Sequence, residues 1–202
     1  MKERIFITKA KDQVMLEEFI RGRFKEAKTG MIEIQYTPIV TRIIVHTVTP
    51  GLIVGSGGER IRMIVDELKK NFGIKNPQID VQRIENQYLD PHIVSQNIAQ
   101  MIERGTNFKR LGEFTVMRIM NAGAVGCELV FAGKFSGQRS RTERFSAGYL
   151  KKCGDPAQRD VLKGFALANP KLGNIGIKVK IMLHHKEISR TVLKEPLIAE
   201  EA

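Results

Sequence analysis

Gly55-Ser56-Gly57-Gly58 lies between the apolar turn Gly51-Leu52-Ile53-Val54 and an amphipathic run that begins at Ile61. Glycines let a chain turn tightly and approach a phosphate with no side chain intervening. The free N–H groups at the start of a following helix add positive dipole density. The chemistry on offer is backbone recognition of phosphate, with Arg60 and Arg62 nearby to add charge. A glycine cluster can also be a plain turn joining two helices; basic surroundings favour the ligand.

A second basic set comprises Lys134, Arg139, Arg141, Arg144, Lys151 and Lys152, spread around Gly137 and Gly148 and relieved in that stretch by Glu143. Flexible basic loops suit an irregular phosphate surface, and the competing reading is a solvated charged face. Lys109 and Arg110 form a basic pair at a helix start, with Glu113 one turn on and Arg118 further along. That pair is either an RNA face or ordinary helix surface.

Other chemistries fail on spacing. A dinucleotide fingerprint needs a third glycine where Arg60 stands, and Gly133-Lys134-Phe135 lacks the hydroxyl and upstream glycine of a nucleotide-binding loop. Cys127 and Cys153 have no CxxC spacing, and no His/Asn constellation accompanies Cys153. His184 and His185 are adjacent, so on a strand they point to opposite faces and cannot easily share a metal. His46 reads as strand surface beside the loop. No catalytic residue, metal ligand or cofactor is assigned.

The bulk properties agree. Lys+Arg 33 against Asp+Glu 22 gives a net charge of +11 in 202 residues, with a pI near 9.8, which favours a polyanionic partner. The chain contains no Trp and no lipidation ending, which argues against a membrane-surface role. The start Met1-Lys2-Glu3-Arg4-Ile5 has no apolar core of the length expected of a signal peptide, and no stretch reaches the roughly 18 apolar residues of a spanning helix. A cytoplasmic protein is expected.

These residues must be positioned by an α+β framework. Leu16, Phe19, Ile20 and Phe24 predict a helix capped by Asp12 and running to about Lys28. Alternation predicts strands over Ile32 to Tyr36, Arg42 to Val48 and Gln78 to Ile84, with a short helix, the glycine loop and a helix ended by Gly73 between the last two. Glu85-Asn86-Gln87-Tyr88-Leu89-Asp90-Pro91 breaks the periodicity and ends in an Asp-Pro helix start, so it reads as a joint. Helices are predicted over 91–104 and 107–122. Strands are predicted near Gly126 to Phe135, Arg144 to Tyr149, Lys163 to Ala168 and Gly176 to Leu183. The division is a first unit over 1–85, a second over 86–185 made of two helices packed on a four-stranded sheet, and a tail over 186–202.

Ile53-Val54-Gly55-Ser56-Gly57-Gly58-Glu59-Arg60-Ile61 resembles the KH pattern of an apolar pair, GxxG and a helix. The element order around it resembles the type II KH arrangement. That resemblance implies a loop clamping about four nucleotides.

The KH unit joined to segments such as Gly123-Ala124-Val125-Gly126-Cys127-Glu128, Arg139-Ser140-Arg141-Thr142-Glu143 and Ile175-Gly176-Ile177-Lys178-Val179 resembles the ribosomal protein S three family over residues 1–185. Gly30-Met31-Ile32-Glu33-Ile34-Gln35 and Asn76-Pro77-Gln78-Ile79 are similar to its archaeal and eukaryotic branch, and the short tail to archaeal members. The resemblance implies a non-catalytic constituent of the small-subunit head that binds small-subunit rRNA and lines the channel by which mRNA enters. Ribosomal proteins S two, S ten and S fourteen would be its neighbours. Lys109 and Arg110 match the family's paired basic positions facing mRNA, whereas Glu113 departs from the bacterial basic position, and Ser56-Gly57 from a usually basic pair. The alternatives are a free KH-type regulator or chaperone, and a lesion-cleaving side activity as in eukaryotic relatives.

Overall fold

A computed structural model describes residues 2–24, 27–37, 40–74, 76–135, 137–171 and 173–183. The expected tail and the pair His184 and His185 lie outside them. The first half of the chain runs α1 (Lys2–Arg23), β1 (Thr29–Tyr36), β2 (Thr41–Thr47), α2 (Pro50–Val54), a 3-10 turn at Ser56–Gly58, α3 (Glu59–Phe72) and β3 (Pro77–Arg83). The second half runs α4 (Pro91–Glu103), α5 (Phe108–Asn121), β4 (Gly126–Gly133), β5 (Arg141–Gly148), α6 (Pro156–Arg159), β6 (Val161–Ala168) and β7 (Ile175–Met182).

The first sheet has order β1-β2-β3, with β1 antiparallel and β3 parallel to β2. A parallel neighbour requires a crossover, and α2, the glycine turn and α3 supply it. Leu16, Ile20, Ile43, Val45, Ile53 and Leu68 close a core beneath these elements. Gly73 ends α3 at φ 61, donating its N–H to Lys69 O at 3.1 Å, a left-handed stop that glycine adopts without penalty.

Asp12 does not cap α1; the helix begins ten residues earlier, at Lys2. The apolar spacing marks where the helix first meets the core, at Leu16, and not where it starts. Side chains 3–15 are exposed, so they carry no such spacing, yet they include neither Pro nor Gly to stop a helix. The helix also ends earlier than predicted, at Arg23, and Lys28 has a left-handed φ of 50°.

The second sheet is antiparallel throughout, with order β5-β4-β7-β6. The helices α4 and α5 cover one face, burying Leu129, Phe131, Ile177, Val179 and Ile181 with Ile98 and Ile119. Asp90 caps α4, accepting from the N–H groups of His92 at 2.8 Å and Ile93 at 3.4 Å, with Pro91 in the first turn. The strand β5 starts three residues before the predicted run because its early positions are polar. They are fixed by the pairing of Gly133 with Arg141 and Ala132 with Thr142. The single turn α6 is too short for periodicity to reveal.

The joint is built against both units. Asp90 packs so closely on β1 that a Cβ at Gly30 would lie 2.1 Å from its Oδ2. Gln96 Nε2 donates to Thr29 O at 3.4 Å. Arg118 of α5 lies 4.1 Å from the Phe114 ring centroid and 5.4 Å from that of Tyr88, whose hydroxyl accepts from its Nη1.

Candidate nucleic-acid interface

Three of the four loop residues hold backbone conformations that L side chains avoid: Gly55 at φ 70, Gly57 at φ 61 and Gly58 at φ 78. Their demands differ. A Cβ at Gly55 would come within 2.9 Å of the Arg60 side chain, whereas none at Gly57 or Gly58 would meet an atom within 4 Å. The outer side of the loop is therefore open, and the backbone of Ser56 to Gly58 can approach a ligand directly.

Arg60 turns back on the loop. Its stem lies under Gly55 and its Nη1 donates to Leu52 O at 3.1 Å, so it fastens α2 to α3 and adds positive potential from behind. Arg62 is exposed and forms no ion pair among the described residues.

The second basic set does not act as one group. Phe108 and Phe135 stack with centroids 4.2 Å apart, which joins the head of α5, where Lys109 and Arg110 follow Phe108, to the segment just past β4 that carries Lys134. All three are exposed. The cap Asn107, whose Oδ1 accepts from Lys109 N–H at 3.0 Å, fixes that helix start. Glu113 is exposed on the same helix, one turn from the basic pair.

Arg139 and Arg141 are exposed and form no ion pair among the described residues. Side chains alternate along a strand, so Arg141 shares the helix-facing side of β5 with Phe145, and Arg144 projects from the other. There Arg144 Nε lies 3.3 Å from Glu128 Oε1, Lys152 Nζ 3.7 Å from the same oxygen, and Lys180 Nζ 2.9 Å from Oε2.

Glu128 is 3% exposed. Burial alone would push its carboxyl up, but the hydrogen bond and charge of Lys180, with the charges of Lys152 and Arg144, outweigh it and hold the pKa below the ordinary carboxylate value. It stays ionised and keeps three cations in register.

Lys151, expected to contact RNA, is paired within the chain. Its Nζ lies 2.8 Å from Asp160 Oδ2 and its side chain is 9% exposed, so it braces the crossing from β5 to β6. Sequence reasoning gave Glu128, Lys178, Lys180 and Lys163 no role. The alternation of Ile177, Val179 and Ile181 with Lys178 and Lys180 was the available signal, since it puts both lysines opposite the core.

His46 and Cys127 behave as ordinary structure. His46 Nε2 lies 3.7 Å from Glu33 Oε1 across β1 and β2. Burial pushes the Cys127 thiol up, which disfavours the reactive thiolate. Among the described residues no cluster of three or more His, Cys, Asp or Glu could hold a metal, and no helix is long and apolar enough to cross a membrane.

Residues 15–87 match the family model described as KH domain, and residues 98–181 the one described as ribosomal protein S3, C-terminal domain. The small ribosomal subunit protein uS3 of Methanocaldococcus jannaschii is 44% identical over 182 residues, which cover 90% of this chain and 88% of that protein. The protein of the same name from Methanococcus maripaludis is 41% identical, with 90% and 86% covered. That from Methanoculleus marisnigri is 40% identical, with 89% and 77% covered.

Proposed function

This chain belongs to the uS3 family of small ribosomal subunit proteins, and from that premise we propose that it is a non-catalytic constituent of the small ribosomal subunit, working in the cytoplasm. The observation that carries the proposal is the extent of the likeness, about nine-tenths of the chain with both of its sheets. The excess of 33 basic over 22 acidic residues suits burial against rRNA phosphates.

In this reading the chain divides near residue 85 into a KH unit and a C-terminal unit, with a tail after residue 185. Gly55, Ser56, Gly57 and Gly58 present backbone N–H groups to a strand of RNA, with Arg60 and Arg62 behind them. The corner of Lys109, Arg110 and Lys134 faces mRNA where it enters the subunit. Glu113 weakens that corner, since a carboxylate repels phosphate. Arg139, Arg141, Arg144 and Lys152 contact rRNA, and ribosomal proteins S two, S ten and S fourteen are the neighbours.

The test is sedimentation. The chain should run with small subunits through a high-salt wash; recovery only in the free fractions would overturn the proposal.

A further inference from the structure

The face of the second sheet away from α4 and α5 is a built surface. Strand alternation sends Glu128, Val130 and Ala132 of β4 outward, since Cys127, Leu129 and Phe131 point into the core. The pairings then align two rows across all four strands: Ser146, Glu128, Lys180, Lys163 and Arg144, Val130, Lys178, Phe165. Beside them runs a low strip in which Ala132 pairs with Gly176, flanked by Thr142 and Leu167.

The two edges of this face differ. The cations Arg144, Lys178, Lys180 and Lys163 spread across its width, joined by Lys152 from the crossing segment, against Glu128 as the one carboxylate on this face among the described residues. On the edge strand β6, Phe165 and Leu167 stand out with 54% and 56% of their surface exposed. Two large apolar groups two residues apart, about 7 Å along a strand, stand on the same face as the lysines and offer flat apolar contact beside positive charge.

We propose that this outward face binds a single strand of RNA, with bases lying on Phe165 and Leu167 and phosphates on Lys178, Lys163 and Arg144. Charge selects a polyanion, and the exposed aromatic ring selects one with unpaired bases, because stacking on a protein ring needs a base face that a duplex keeps covered. The strip at Ala132 and Gly176 lets the sugar-phosphate chain come close to the sheet. Glu128 acts as the organiser: it restrains Lys180, Arg144 and Lys152 without presenting a negative charge to the ligand, being itself covered. The site lies apart from the glycine loop and from the corner of Lys109 and Arg110. It rests on the reading of this chain as an RNA-binding protein.

The absence of Trp in the 202 residues gives a clean test. In the full chain, Phe165→Trp creates a sole tryptophan on the face, and Leu167→Trp provides a second reporter should the first disturb folding. Titration with a fluorescently labelled ten-nucleotide uridine strand is read twice, by anisotropy of the label and by tryptophan emission. Stacking should quench the emission at the same strand concentrations that raise the anisotropy. Lys163→Gln with Lys178→Gln, which leaves Glu128 its three cations, should weaken the quenching and reduce its salt slope by about 0.7 for each phosphate no longer neutralised.

Binding by anisotropy without quenching at either reporter would overturn the site while leaving RNA binding by the chain intact. No binding at all would overturn both. Equal quenching by polyglutamate would overturn the RNA assignment in favour of an acidic protein partner.

Discussion

The glycine loop and the outward face of the second sheet meet the same ligand chemistry by opposite means. The loop does it with backbone: three glycines at positive φ and empty space beyond Gly57 and Gly58. The sheet does it with side chains from four strands, held in register by one covered carboxylate. A backbone site is rigid and needs little charge, so it tolerates the uncharged pair Ser56-Gly57. A side-chain site can be rebuilt by substitution but depends on each strand pairing being correct.

The contrast is broken most forcefully at glycines the second unit uses for fit instead of contact. Gly148 sits at φ 71, and a Cβ there would lie 2.2 Å from Val125 O and 2.9 Å from Gly126 Cα. Gly148→Val therefore forces the end of β5 away from β4 and should cost about 3 kcal/mol or more, visible as a lowered urea midpoint. Gly57→Ala carries only the conformational penalty of its φ, about 1 kcal/mol. Equal midpoint shifts would mean that both glycines serve packing.

Glu128→Gln comes next. Removing the charge frees Lys180, Arg144 and Lys152 to repel one another and should cost about 1 to 2 kcal/mol near neutrality. The pH dependence gives the sign. The carboxyl pKa is held below its ordinary value of 4.5 in the folded state, so its contribution is fully present above that value and disappears as pH falls through the folded pKa. Unfolding free energies of wild type and variant should therefore differ by a constant amount above about pH 4.5 and converge as the pH falls below it. A gap that stayed constant down to low pH would remove Glu128 from its organising role.

On the loop side, Gly57→Asp with Gly58→Asp places two carboxylates where the backbone meets phosphate. Asp tolerates left-handed backbone better than most residues, and neither position has a neighbour within 4 Å, so the fold should survive. Binding of a short single-stranded RNA by the full chain should weaken about tenfold, roughly 1.4 kcal/mol. Unchanged affinity in a folded variant would reduce the loop to a turn.

The same contrast explains what the sequence disclosed. The loop was legible because its chemistry is written in contiguous residues between two clear helical patterns. Asp90-Pro91, Gly73 and the alternation of the later strands were legible for the same local reason. The start of α1 was hidden because residues 3–15 bury nothing, and periodicity reports burial. Glu128 was hidden because it acquires meaning only across strands: its partners lie 16, 24 and 52 positions away, at Arg144, Lys152 and Lys180. Lys151 and Lys152 looked equivalent as neighbours, yet the chain turns one inward to Asp160 and the other outward to Glu128.

That last pair of fates supports the finest test, a comparison of basic residues that resemble each other in sequence. Arg139 and Arg141 are exposed without ion-pair partners among the described residues, so each phosphate they neutralise should appear in the salt dependence. Arg139→Gln with Arg141→Gln should flatten the plot of log affinity for rRNA against log salt by about 0.9 for every phosphate released, taking helical RNA to behave as duplex DNA does. Lys151→Gln should leave that slope unaltered, because the charge is already matched by Asp160 at 2.8 Å, and should instead lower stability by about 1 kcal/mol through loss of that ion pair. A slope change for Lys151→Gln would show that the Asp160 pair opens when RNA binds. An unaltered slope for the arginine pair would return both residues to solvated surface and leave the sheet face and the corner of Lys109, Arg110 and Lys134 as the charged contacts of the second unit.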